Sequence, residues 1–146
     1  MATFQPSTQS ENGSFKWNIR FTALPHALFG ESKFVGLRGN ATKLLLALAS
    51  CYVGNNNGHL VATPSYLKRF GFNSKDSIAK SLHELQRAGY LVRTRTSVYK
   101  EPALYAVTWL PISPPPPGKK YDAGITSGDL PLDTWRSSTP AAKGAA

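Results

Sequence analysis

Basic side chains are the residues of this sequence whose type and spacing could do chemistry, and the chemistry they suit is the binding of phosphate groups. Lys75 and Lys80 lie in a stretch with helical periodicity, and Arg93 and Arg95 lie in one that alternates as a strand does. Such side chains displace condensed counterions from phosphates and steer a polyanion over roughly a Debye length, about 8–10 Å. The pattern predicts a polyanionic partner.

The distribution of charge supports this interpretation. The formal net charge is +9, from 17 Lys and Arg against 8 Asp and Glu. Most of the excess lies between residues 21 and 110, the part with the most regular apolar periodicity, and not in the two ends. A basic surface also serves solubility, so charge alone does not decide the function.

The residue types that would indicate an enzyme or a metal site are badly spaced. His26, His59 and His83 are far apart, with no carboxylate or cysteine at metal-ligand spacing. Cys51 is the one cysteine, which excludes an intramolecular disulfide, and its apolar surroundings predict a buried structural thiol. No phosphate-binding glycine loop or nucleophile elbow occurs. We therefore expect no catalysis, no cofactor and no metal.

The composition along the chain predicts one domain with loose ends. We predict a flexible N-terminal arm over residues 1–20, the domain over residues 21–112 and a Pro-rich, disordered tail over residues 113–146. Within the tail, Trp135 and Leu132 could dock onto the domain or a partner. The start has no secretory pattern, and no run of about 18 apolar residues suggests a membrane span. We expect a cytoplasmic protein without a membrane partner.

The periodicity of the domain predicts helices in its first part. Their order is one or two short turns over 24–37, a core helix over 41–53, a short strand over 59–62, a helix over 64–70 and a helix over 75–88. Thr63 and Pro64 form a helix start, Gly71 makes a tight turn, and Asn73 or Ser74 caps the next helix. Gly89 closes that helix. This is a helix, a glycine-containing turn and a helix.

A hairpin is predicted to follow. Residues 90–96 alternate, with Leu91, Arg93 and Arg95 on one side of the strand, and residues 104–110 form the returning strand. The connection over 97–103 is long enough to project as a wing.

The stretches ATPSYLKRFGFNSKDSIAKSLHELQRAGYLVRTRT and LYAVTWLPI resemble the winged helix-turn-helix superfamily over about residues 24–110. The AGY turn before the first wing strand and the closing YAVTW are most similar to small helix-turn-helix proteins of bacterial phages, plasmids and integrative elements. The resemblance implies an α+β fold with three to four helices and a small antiparallel hairpin wing.

The resemblance also implies which side chains contact DNA. The candidates on the recognition helix are Asn73, Ser74, Lys75, Asp76, Ser77 and Lys80. Candidates for the DNA backbone are Lys68 and Arg69 beside the turn and, in the wing, Arg93, Arg95, Tyr99 and Lys100. Lysines suit guanine or phosphate, asparagine suits adenine, and aspartate accepts from cytosine N4.

Two functions from different classes fit these expectations. The first is sequence-specific binding of double-stranded DNA by a transcriptional regulator or replication factor of a mobile element, with a homodimer as one arrangement on palindromic half-sites. The second is a protein-binding inhibitor module that uses the same scaffold against a host protein. Steep loss of binding with salt distinguishes the first from the second.

Overall fold

The computed structural model describes residues 6–9, 15–17 and 19–136. The helices are α1 (Ser32–Val35), α2 (Gly39–Ser50), α3 (Pro64–Leu67) and α4 (Lys75–Ala88), with 3-10 turns at His26–Gly30 and Lys68–Phe70. The strands are β1 (Pro6–Gln9), β2 (Phe15–Trp17), β3 (Leu60–Val61), β4 (Leu91–Arg95) and β5 (Leu104–Val107). These elements confirm the predicted α+β fold, with a helix-turn-helix followed by a hairpin.

Helix α2 forms the centre of the core. Leu44 and Leu48 have no exposed surface, and the helix packs along α4. Burial of a leucine side chain contributes about 1.5–3 kcal/mol, so these positions anchor the domain. Cys51, just after the helix, is half-buried where the sequence predicted a buried thiol, and its Sγ donates to the carbonyl oxygen of Ala47.

Strands β3, β4 and β5 form one antiparallel sheet with β5 in the middle. Leu60 of β3 pairs with Tyr105, and Leu91 of β4 pairs with Val107. The register shifts between Arg93 and Arg95, a β-bulge that the predicted strict alternation does not contain. The two arginines therefore lie in different environments, with Arg93 exposed and Arg95 half-buried.

A buried asparagine joins the turn after α2 to the sheet. Asn57 is fully buried, and the two hydrogens of its Nδ2 are shared among the carbonyl oxygens of Val107, Leu110 and Pro111, each 3.0 Å away. Its Oδ1 accepts from the backbone N–H of Val107 at 2.8 Å. Because the buried amide is bonded through both its oxygen and its nitrogen, its desolvation is offset and the turn is fixed against β5.

The structure differs from the prediction in the Pro-rich segment. We call residues 113–136 the C-terminal strap, because they lie on the domain instead of leaving it at residue 112. Trp135 is 1% exposed and belongs to the core cluster. The N–H of Asp133 donates to the carbonyl of Thr108, and the Thr134 hydroxyl donates to the carbonyl of Gly89. Burial of this indole and the hydrogen bonds to Thr108 and Gly89 offset part of the entropy lost when residues of such a composition become ordered.

Gly89 shows how closely the C-terminal strap approaches. Its φ is +87°, a left-handed conformation that favours glycine at the end of α4. A Cβ at this position would lie 2.2 Å from the carbonyl oxygen of Thr134. Glycine is therefore required here by the backbone angle and by the strap.

Residues 137–146, the rest of the predicted tail, lie outside the described residues. In the predicted N-terminal arm, β1 and β2 pair as antiparallel strands. A two-stranded hairpin alone is marginally stable in water, so the strands do not remove the expectation that this arm is flexible. Within the described residues, no helix combines the length and the hydropathy that a membrane crossing needs.

Candidate nucleic-acid interface

Helix α4 begins at a cap that its own sequence supplies. Ser74, in extended conformation, accepts at its Oγ a hydrogen bond from the backbone N–H of Ser77 at 3.3 Å. Of the two caps that the sequence left open, the structure uses Ser74 and not Asn73. Gly71, with φ of +92°, makes the turn that sets the angle between α3 and α4.

The apolar side of α4 faces the core and its polar side faces solvent. Ile78 and Leu85 are buried, and Leu82 packs against the core cluster. The exposed positions of this helix and of the two residues before it are Asn73, Ser74, Lys75, Asp76, Ala79, Lys80, His83 and Arg87. The predicted recognition residues are therefore free of the core, with the exception of Ser77.

Ser77 is half-buried against α2. Its Oγ accepts from Nδ2 of Asn40 at 3.0 Å, a contact between residues far apart in the sequence. The hydroxyl keeps its own proton for donation, but Asn40 restricts its direction. Asn40 itself is exposed beside the start of α4, a position that no local sequence pattern predicts.

Asp76 and Lys80 form an ion pair one turn apart on the exposed side of α4. The Nζ–Oδ2 distance is 3.1 Å, and both side chains are about three-quarters exposed, at 75% and 73%. Such surface pairs contribute about 0.3–0.5 kcal/mol. Phosphate or a base edge can therefore compete for Lys80 at little cost.

The basic residues at the end of the first helix of the motif are held differently. Lys68 is exposed, whereas the Arg69 guanidinium lies over the rings of Tyr66 and Phe70, 4.3 and 4.8 Å from their centroids. Arg69 also donates to the Tyr66 hydroxyl. Stacking fixes the position of a guanidinium without removing its charge, so Arg69 is a preorganised cation.

The Tyr66 hydroxyl also meets the thiol of Cys51, with 3.1 Å between the oxygen and Sγ. This hydrogen bond, together with burial and the effect of the Cys51 charge, raises the pKa of Tyr66 above its usual range, although Arg69 acts in the opposite direction. Tyr66 therefore stays neutral at physiological pH and serves as a support for Arg69.

The hairpin narrows to a tight tip. Val98 and Glu101 exchange two backbone hydrogen bonds, of 3.1 and 2.7 Å, so that only Tyr99 and Lys100 form the turn. Lys100 has a φ of +62°, which is uncommon for a residue other than glycine. Tyr99 is 85% exposed, and the Lys100 ammonium lies 5.2 Å from the centroid of its ring. The predicted wing is present, with an aromatic and a cation at its end.

The two wing arginines are not equivalent. Arg93 is exposed, but the Arg95 guanidinium donates to Oε1 of Glu101 at 3.0 Å. Lys119 of the C-terminal strap contacts the other carboxylate oxygen of Glu101. The hydrogen bond from Lys119 is the main cause of a lowered pKa of Glu101; burial opposes it, and the charges of Lys119 and Arg95 lower the pKa further. Arg95 is thus engaged within the wing, and Arg93 is the better placed for a partner.

Basic residues that the sequence prediction left without a role also lie beside α4. Lys33 of α1, Arg38 at the start of α2 and Arg87 of α4 line a groove of about 900 Å³ with Lys80 and His83. No local signal identifies this set, because it depends on the packing of the α1–α2 corner against α4.

One of the three histidines is hydrogen-bonded to the backbone of the C-terminal strap. His59 bonds through Nε2 to the carbonyl of Pro114 at 2.7 Å. Within the ranges that the structure covers, no three His, Cys, Asp or Glu residues gather closely enough to hold a metal ion.

Residues 35–91 match the family model of a helix-turn-helix domain. The match includes α2, α3 and α4 and ends at the first residue of β4, so it covers the helix-turn-helix and leaves out the wing. The match supports the predicted helix-turn-helix for this part of the chain and suggests DNA binding. No curated protein and no solved structure matches the chain at a significant level.

Proposed function

We propose that this chain binds double-stranded DNA in a sequence-specific manner and acts, without catalysis, as a transcriptional regulator or replication factor of a mobile element in the cytoplasm. The observation that carries the proposal is the exposed polar side of α4. Ser74 caps the start of this helix just after the turn at Gly71, and the apolar side of the helix is buried. A helix so placed can enter the major groove, which is about 12 Å wide.

The side chains divide by role. The residues proposed to read base edges are exposed just before α4 and in its first turns: Asn73, Lys75, Asp76 and Lys80. Lys68 and the stacked Arg69 are proposed to contact phosphates on the side of α3. Arg93, Tyr99 and Lys100 are proposed to contact the backbone or the neighbouring minor groove on the side of the wing. Ser77 and Arg95 contribute less, because each has a partner inside the protein.

Selection of bound fragments from random duplex DNA at about 0.15 M salt tests the proposal. We expect one enriched motif, and two inverted copies about 34–36 Å apart if a homodimer binds. Four phosphate contacts would lower affinity by about a hundredfold between roughly 50 and 200 mM salt. The absence of a motif, with no salt-sensitive binding, would contradict DNA recognition and favour the alternative of an inhibitor module that binds a host protein.

A further inference from the structure

The groove beside α4 has a charge pattern of its own. It lies between the exposed side of α4 and the corner where α1 meets α2. Its small or apolar lining residues are Gly36, Leu37, Ala79 and Ala88. Its charged lining residues are Lys33, Arg38, Lys80, Arg87 and Glu84. The open groove is thus lined by four cationic side chains and one carboxylate, and the residues at its base are small or apolar.

Glu84 does not cancel this excess. Its Oε2 accepts the backbone N–H of Arg38 at 2.9 Å, so the carboxylate is directed at the corner of the main chain. The bond satisfies an N–H beside the start of α2 and leaves the Arg38 guanidinium exposed. The groove therefore remains electropositive, and Glu84 serves to hold the corner in place.

The groove continues toward the start of α4. A second hollow of about 500 Å³ is lined by Asn40, Ser74, Ser77 and the Asp76 that pairs with Lys80, and it shares Arg38, Lys80 and Glu84 with the first. Together the two hollows follow the helix from its cap to its last turn. A helix of this length, 14 residues, spans about 21 Å, which is enough to run along several base pairs.

We propose that this groove receives the sugar–phosphate backbone of one DNA strand at the edge of the major groove, with Lys33, Arg38 and Arg87 contacting its phosphates. The inference rests on the proposed function, because it requires α4 to lie in that major groove. A strand flanking an inserted helix must pass along one of its sides, and here that side is built as a basic channel. The small floor residues let a bulky backbone approach closely.

The experiment is a salt titration of DNA affinity for Lys33→Gln, Arg38→Gln, Arg87→Gln and the triple variant. Each single change should lower the slope of log affinity against log salt by about 0.9, and the triple variant by about 2.7. Preferred and random duplexes should lose affinity by the same factor, since phosphates carry no sequence. Arg20→Gln is the matched control, because Arg20 lies near Ser50 and Val53 at the other end of α2 and should leave the slope unchanged.

The outcomes separate the two proposals. If the unaltered protein binds duplex DNA and the three variants keep its slope, the backbone channel is overturned while DNA recognition stands. An equal effect of Arg20→Gln would also overturn the channel, because total charge would then explain the loss. If the unaltered protein binds no duplex, both proposals fail. Ethylation interference on the unaltered protein adds an independent test, since it should mark a run of phosphates on one flanking strand.

Discussion

The double variant Lys75→Glu/Lys80→Glu is expected to lose about a thousandfold in affinity for its preferred duplex, because each reversal removes an attraction to DNA and adds a repulsion, at about 2 kcal/mol each. Both side chains are exposed on the proposed reading face of α4. Reversal of Lys80 also gives it the same sign as Asp76, at a folding cost of only about 0.5 kcal/mol. Fluorescence anisotropy at about 0.15 M salt measures the affinity.

The matched control is Arg20→Glu, compared with the single variant Lys75→Glu, because both make the same change in net charge and Arg20 lies beside Ser50 and Val53 at the far end of α2. We expect the control to lose less than about tenfold, through long-range electrostatics that salt screens. Equal losses in the two variants would show that total charge, and not the face of α4, governs binding. Far-ultraviolet circular dichroism should show the same helix content in both.

Replacement of the buried indole, Trp135→Ala, is expected to lower the free energy of unfolding by about 3–5 kcal/mol, the range for deletion of a large aromatic side chain from a core. Trp135 is 1% exposed, and its Nε1 donates to Oδ1 of Asp133 at 3.0 Å. Loss of the indole should release the strap from Gly89 as well. Urea unfolding followed by circular dichroism measures the change in midpoint and slope.

Leu130→Ala provides the comparison, because Leu130 belongs to the same strap but is 82% exposed. It should change the free energy of unfolding by less than about 0.5 kcal/mol. A loss below about 1 kcal/mol in Trp135→Ala would contradict the assignment of the strap to the folded domain.

Local rules were enough to predict the recognition helix from the sequence. The limits of α4, its cap near Ser74, the turn at Gly71 and the stop at Gly89 all depend on backbone conformations that neighbouring residues determine. The apolar periodicity of α4 correctly gave the buried side as well. These features fix the orientation of the predicted site residues with respect to the core.

The differences arise where contacts join distant parts of the chain. The prolines, glycines and serines of the strap predict a disordered tail, whereas Asp122 bonds to Thr94 and Thr96 along the edge of β4. Composition does not reveal that one tryptophan has a site to fill. The bond from Arg95 to Glu101 is a second example. It lies beside the bulge in β4, and Glu101 also bonds to Lys119 of the strap; no local sequence pattern predicts either feature.

The contact between Asn40 and Ser77 and the channel lined by Lys33, Arg38 and Arg87 have the same origin. Each requires the packing of α2 against α4, which a sequence pattern predicts only in outline. The sequence shows the charged residues themselves, but it does not show that they lie on the same face of the domain.

The central claim, that DNA lies against the exposed side of α4, is tested most directly by amide NMR spectra recorded as the selected duplex is added. We predict that the largest shifts occur at residues 73–80, with a second group at residues 98–101 of the wing. Shifts confined to residues 19–22 and 50–54 at the far end of α2, or no shifts at saturating duplex, would contradict it.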